Sequence, residues 1–126
     1  MKEAYTTTAH FILDEEDILH IKFAKGTYID IEDAINHYAV CNRLAGDRKV
    51  LVLIDIRENF TVTDEARKYA ASEHALKPRI ATAIVTKNHA TILAVNLFIK
   101  INRPVKPMKL FSSKEKGLKW LRSFKE

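Results

Sequence analysis

A chain of 126 residues, 47% hydrophobic and 29% charged, has the size and make-up of one ordinary globular domain that needs no staples for its core. Three glycines leave almost no material for a phosphate-cradling loop, and the single Cys41 excludes an intramolecular disulfide and any multi-cysteine metal site. The net charge of +5 is lopsided: residues 100–126 hold nine Lys/Arg against two Glu, while residues 1–99 hold twelve against fourteen acids. We read the basic end as a solvated helix face, so that any nucleic-acid affinity is weak and purely electrostatic, with no specific nucleic-acid partner.

In chain order, Tyr5 to Leu13 alternates as a strand with Ala9, Phe11 and Leu13 on one side. The acidic turn Asp14-Glu15-Glu16-Asp17 leads into Ile18–Phe23, a second strand, which makes an antiparallel hairpin. Gly26 breaks the pattern. Asp30 has the character of an N-cap, with Glu32 and Asp33 favourable to the helix dipole in the first turn. The stripe Ile31, Ala34, Ile35, Tyr38, Ala39 and Leu44 predicts a helix that stops near Gly46. Cys41 falls inside it and is expected to be a buried structural thiol.

Val50 to Ile54 is a continuous β-branched and leucine run, which predicts a parallel strand buried on both faces. It ends at Asp55. A polar loop follows, and Thr61 or Thr63 opens a helix that runs to Leu76, where Pro78 forbids continuation. Ile80–Thr86 predicts a fourth strand of small residues, His89–Asn102 a third helix, and Lys109–Phe111 a last strand. Ser112 and Glu115 have capping-box spacing for a final helix ending near Phe124, with Leu118, Trp120 and Leu121 inward. The order is ββαβαβαβα: an α/β domain with a mixed, mostly parallel five-stranded sheet and helices packed on it.

A strand that feeds a helix through a polar loop puts that loop at the carboxyl edge of a sheet, where open α/β sheets bind their ligands or partners. The candidate partner-binding residues are therefore Asp55, Arg57, Thr61, Thr63 and Asp64, joined by Lys87 and His89 after the fourth strand, with Thr63 a candidate phosphosite. Asp55 is read as a loop organiser that accepts backbone N–H bonds. The five histidines show no ligand spacing, no nucleophile stands in sequence context with a base, and no cofactor or metal is implied. The chain is expected not to be an enzyme.

The third helix is apolar nearly all round: Ile92, Leu93, Ala94, Val95, Leu97, Phe98, Ile99 and Ile101. One sheet face covers one side of such a helix, so its other side calls for a second subunit, an apolar ligand or the C-terminal helix. A homodimer, or an apolar ligand, held by Ile92, Val95, Phe98 and Ile99 is the expectation. The stretch Ile92–Ile101 is broken by Asn96 and Lys100 and too short to span a bilayer, and MKEAYTTTAHFILDEED lacks a signal-peptide core. A cytoplasmic location without membrane insertion is expected.

The element order, together with the strand, aspartate, loop and helix of residues 50–67, resembles the STAS fold of anti-sigma-factor antagonists. In that family the helix start carries a phosphorylatable serine in a D-S-S-G-like segment. Here the segment reads Val62-Thr63-Asp64-Glu65, so Thr63 or Asp64 takes the serine's place and the glycine is missing. The segment NLFIKINRPVKPMKLFSSKEKGLKWL, Asn96 to Leu121, is similar to the C-terminal half of small uncharacterised bacterial proteins of the STAS-like superfamily, some of whose relatives have been compared with lipid-carrying CRAL-TRIO domains. The resemblance implies a regulatory module that acts through a protein partner, or alternatively a carrier of a small apolar, lipid-like ligand near the third helix.

Overall fold

The computed structural model describes residues 2–58 and 60–125. A six-stranded sheet runs in the order β1 (Lys2–Tyr5), β2 (Ala9–Leu13), β3 (Ile18–Phe23), β5 (Val50–Asp55), β7 (Arg79–Val85) and β8 (Met108–Phe111). The pairs β1/β2 and β2/β3 are antiparallel; β3/β5, β5/β7 and β7/β8 are parallel. Two short strands, β4 (Thr27–Ile29) and β6 (Phe60–Val62), pair in parallel apart from the main sheet.

The sheet therefore has six strands where five were expected: the strand expected over Tyr5–Leu13 begins only at Ala9, and Lys2–Tyr5 ahead of it pairs as a further strand. Thr6 folds the chain back: its N–H donates to the Ala9 carbonyl at 2.9 Å, and its hydroxyl accepts from the Thr8 and Ala9 N–H groups. Threonine offers the backbone a local partner that competes with a ladder, and the run of three threonines makes a turn there.

Among the described residues there are five α-helices, α1 (Ile31–Ala45), α2 (Asp64–Ala70), α3 (Glu73–Leu76), α4 (His89–Asn102) and α5 (Lys114–Arg122), and a closing 3-10 turn at Ser123–Lys125. Asp30 caps α1 in a full capping box with Asp33, and Gly46, at φ 67°, ends it in the left-handed region that glycine adopts without strain. The predicted helix from Thr63 to Leu76 is broken at Ser72. The Ser72 hydroxyl donates to the Tyr69 carbonyl at 2.6 Å and accepts from Ala75 N–H at 3.2 Å, which restarts the chain as α3. The cap of α5 is Ser113, whose hydroxyl accepts from Lys116 N–H at 3.2 Å; the box expected of Ser112 and Glu115 does not form. Because β8 holds the chain through Phe111, the helix begins one residue later, and Gly117 lands on the sheet against Leu53 and Ala83.

The buried strand β5 has both faces covered, as its unbroken apolar run requires. Val50 and Val52 join Phe11, Leu13, Leu19 and Ile21 beneath Val40, Cys41 and Leu44 of α1. Leu51 and Leu53 join Ala81, Ala83 and Val85 beneath Leu121 of α5, with Leu118, Trp120 and Phe124 at the margin. A third cluster, Ile29, Ala34 and Ala66, ties α2 and the β4/β6 pair to α1. Cys41 lies in the first core, and burial pushes its thiol pKa up although Arg79 beside it pulls the other way. Among the described residues, no helix is long and apolar enough to cross a membrane.

Candidate functional site

The parallel strands β3, β5, β7 and β8 all end at one edge, and the starts of α2, α4 and α5 follow from it. Asp55 closes β5, facing Lys22 of β3 on one side and Val85 of β7 on the other. Its side chain is buried. One carboxylate oxygen accepts from the Arg57 backbone N–H at 3.1 Å and from Arg57 Nε at 2.9 Å; the other accepts from Nη2 at 2.6 Å. Burial acts to raise the Asp55 pKa, but the Arg57 hydrogen bonds, its charge and that of Lys22 outweigh it and hold the carboxyl below its usual range. The expected loop organiser is thus present, and the Arg57 fork, half out in solvent, is its main donor.

Beyond Arg57 the chain crosses to the other small strand. Thr61 is exposed and pairs with Tyr28, and Thr63 N–H donates to the Ile29 carbonyl at 3.0 Å. Thr63 is the N-cap of α2: its hydroxyl accepts from Ala66 N–H at 3.1 Å. Asp64 is exposed and forms an ion pair with Arg67 one turn on, a contact of small worth at a surface. Just past the end of β7, Thr86 is fully buried, its hydroxyl accepting from Asn88 N–H at 3.3 Å. Asn88 caps α4, and Lys87 and His89 on either side of it are exposed.

The predicted residues therefore form two groups. Asp55 and Arg57 share the strand ends with Lys87 and His89, since Ile56 N–H donates to the Val85 carbonyl at 2.9 Å. Thr61, Thr63 and Asp64 are carried aside by the β4/β6 pair, which sequence reasoning missed. Its signal was present in the apolar-flanked triplets Thr27-Tyr28-Ile29 and Phe60-Thr61-Val62, but three residues are too few for periodicity to show. Among the described residues, no group of three His, Cys, Asp or Glu side chains is placed to hold a metal ion.

Helix α4 has no buried residue along its fourteen. Ile92 and Ile99 face an open groove of about 330 Å³ against Met108, Leu110 and Phe111 of β8, with Asn96 and Lys109 at its margin. Val95 and Phe98 are half-buried. The residues turned fully outward are others: Leu93, Leu97 and Ile101, with Val105 beyond, are 71%, 57%, 69% and 59% exposed. The C-terminal helix does not cover them: α5 packs Leu118, Trp120 and Leu121 against Ile18, Leu51, Leu53 and Phe111 instead.

A hairpin that runs into a parallel sheet, with α1 and α5 on opposite faces and capped helix starts along the carboxyl edge, defines an α/β protein with a SpoIIAA-like fold. A solved structure of an uncharacterised protein from the DUF3478 family with that fold, from Shewanella loihica PV-4, superposes with a TM-score of 0.62 at 21% identity, over 90% of this chain and 91% of that one. A protein of unknown function from Arthrobacter sp. FB24 aligns over 88% of this chain and 90% of its own, at 23% identity and a TM-score of 0.35. A search among curated proteins finds no match. The family described as a domain of unknown function, DUF7793, matches residues 11–125, and the chain belongs to it.

Proposed function

We propose that this protein is a non-enzymatic regulatory module that binds a protein partner with the carboxyl edge of its sheet. The observation that carries the reading is the state of the edge's charged groups. Its one buried carboxylate, Asp55, is saturated by Arg57 and serves as scaffold, while Arg57, Thr61, Asp64, Lys87 and His89 are presented outward from short, hydrogen-bonded tethers. Such a surface recognises by charge and shape; among the described residues, no group on it pairs a nucleophile with a base. Thr63 is the position for regulation by phosphate. Its hydroxyl already accepts from the α2 N-terminus, a role phosphate oxygens also fill, while Asp64 and Glu65 repel the added charge. These opposing surface terms are each about 1 kcal/mol or less, so phosphorylation acts on partner affinity more than on stability.

The test is capture of a partner from lysate of the source cell with the full chain as bait, comparing wild type with Asp64→Lys and Arg57→Glu. The reading expects loss of the partner from both variants with the melting temperature of Asp64→Lys barely moved. Undiminished capture by both variants overturns it.

The second reading, a carrier of a small apolar ligand, is favoured by the groove between α4 and β8. Its volume of about 330 Å³ reaches the lower range of small-molecule sites, though it is open along one side. Native mass spectrometry of protein from the source cell decides it: a retained mass that is lost in Ile99→Glu supports the carrier, and an unliganded wild type opposes it.

A further inference from the structure

We infer that the free lateral edge of the sheet at β8 takes up an extended peptide of alternating apolar and acidic residues, which adds to the sheet as a further strand beside α4. This surface is distinct from the strand ends of the first reading and does not depend on it. It competes with the apolar-ligand reading for the same groove.

The backbone of β8 limits what can pair with it. β8 is the last strand on its side of the sheet and pairs with β7 alone. Thr82 N–H donates to the Pro107 carbonyl at 2.9 Å, and Thr86 N–H to the Phe111 carbonyl at 3.1 Å. Alternate residues of a parallel strand bond to the same neighbour, so Pro107, Lys109 and Phe111 face β7 while Met108 and Leu110 turn their N–H and C=O groups outward. Among the described residues, no backbone group pairs with those four. They present donors and acceptors in alternation, a pattern that another extended backbone completes. A phosphate surface offers acceptors only, and an alkyl ligand offers neither.

The surroundings select the side chains. Met108 and Leu110 share with Ile92 and Ile99 of α4 the open groove of about 330 Å³. Residues opposite each other on neighbouring strands lie on one face of the sheet. Alternate side chains of an added strand therefore fall beside Met108 and Leu110, where apolar groups fill the groove. Those between fall beside Lys109, which is exposed, with its ammonium 5.6 Å from the centroid of the Phe111 ring. The charge there is of one sign: residues 74–114 contain eight Lys/Arg and no Asp or Glu. Lys106, Lys109 and Lys114, around β8, form no ion pair among the described residues. Carboxylates complement this edge, whereas a second copy paired edge to edge would bring two such basic stretches together. A short strand covers well under the roughly 800 Å² per partner of a standard interface, so the Kd is expected at about 10–100 μM.

The test uses the full chain and, as probe, an acetylated and amidated hexapeptide alternating valine and glutamate, followed by NMR of the backbone amides. Binding should saturate in that range, and hydrogen exchange at Met108 and Leu110 should slow by at least about tenfold, because their N–H groups gain partners. The same peptide methylated at every backbone nitrogen keeps both sets of side chains and loses every donor. It should bind at least about tenfold more weakly. A valine–lysine counterpart should weaken by a similar factor, and Lys109→Glu, at an exposed site, should reduce that preference by at least about threefold. No binding at about 1 mM peptide, or equal binding by the methylated or the valine–lysine peptide, would overturn the inference. Protection of the same two amides by decanoate or by phosphatidylglycerol vesicles, with none from the peptide, would also overturn it, the first of these in favour of the carrier.

Discussion

Replacing His37 with glutamine should remove most of the protein's loss of stability between pH 6.5 and 4. His37 projects from α1 into the junction with β2, with its Nε2 2.7 Å from the Thr8 hydroxyl and its ring centroid 5.5 Å from that of Phe11 and 5.7 Å from that of Phe23. Burial pulls its pKa down to about 4; the charge of Asp33 opposes this and that of Arg79 reinforces it. In the unfolded chain the same imidazole titrates near 6.5. Between these values the unfolded state binds a proton that the folded state refuses. The stabilisation is therefore complete above pH 6.5, falls as the pH drops through that window, and is exhausted below pH 4. The difference of about 2.5 units corresponds to about 3 kcal/mol. Urea unfolding at half-unit pH steps measures it. Wild type should lose about 3 kcal/mol relative to His37→Gln across the window, whatever the carboxylates contribute to both curves. Parallel curves for the two proteins would refute the claim that His37 is held neutral by its burial.

Three further outcomes follow from local geometry. Gly117→Ala should be neutral or stabilise by up to about 1 kcal/mol in thermal unfolding, because a Cβ there would meet Leu53 at 3.4 Å and Ala83 at 3.5 Å without overlap and Ala is the better helix former. Thr63→Ala should cost about 1 kcal/mol in urea unfolding through the lost cap of α2, with Thr63→Ser restoring most of it. Arg57→Ala should cost about 1–3 kcal/mol in the same assay, since it strips the buried Asp55 carboxylate of its guanidinium donors; a change below 0.5 kcal/mol would show that the strand end does not depend on the pair.

The parts of the fold legible in the sequence are those where burial and periodicity speak together. The unbroken run Val50–Ile54, bounded by Asp55, reads as a parallel strand covered on both faces, and its neighbours in α1 and α5 provide that cover. Asp30, Gly46 and Thr63 announce helix ends because each carries its own capping chemistry. What escaped reading was decided by local hydrogen bonds that compete with a longer pattern: the Thr6 turn that divides β1 from β2, the Ser72 hydroxyl that divides α2 from α3, and the choice of Ser113 over Ser112. The site was legible in the same proportion. Asp55 as organiser followed from its place at a strand end, but the guanidinium that saturates it lies two residues on, where a loop carries no periodicity. The excess apolar surface of α4 was plain in composition. Which residues point outward depends on the tilt of the helix against β8, so Leu93, Leu97 and Ile101 emerge only from the packing.

The most direct measurement of the central claim is site-specific photo-crosslinking in the source cell, with a photoreactive residue placed singly at position 61, at position 87 and, as a control, at position 35. The first two lie in the two groups of the sheet edge, and the third is an exposed site on α1. The account predicts the same covalent protein adduct from positions 61 and 87, absent from position 35 and lost when Asp64→Lys is added. Adducts that form equally from position 35, or none from either edge position, would contradict it.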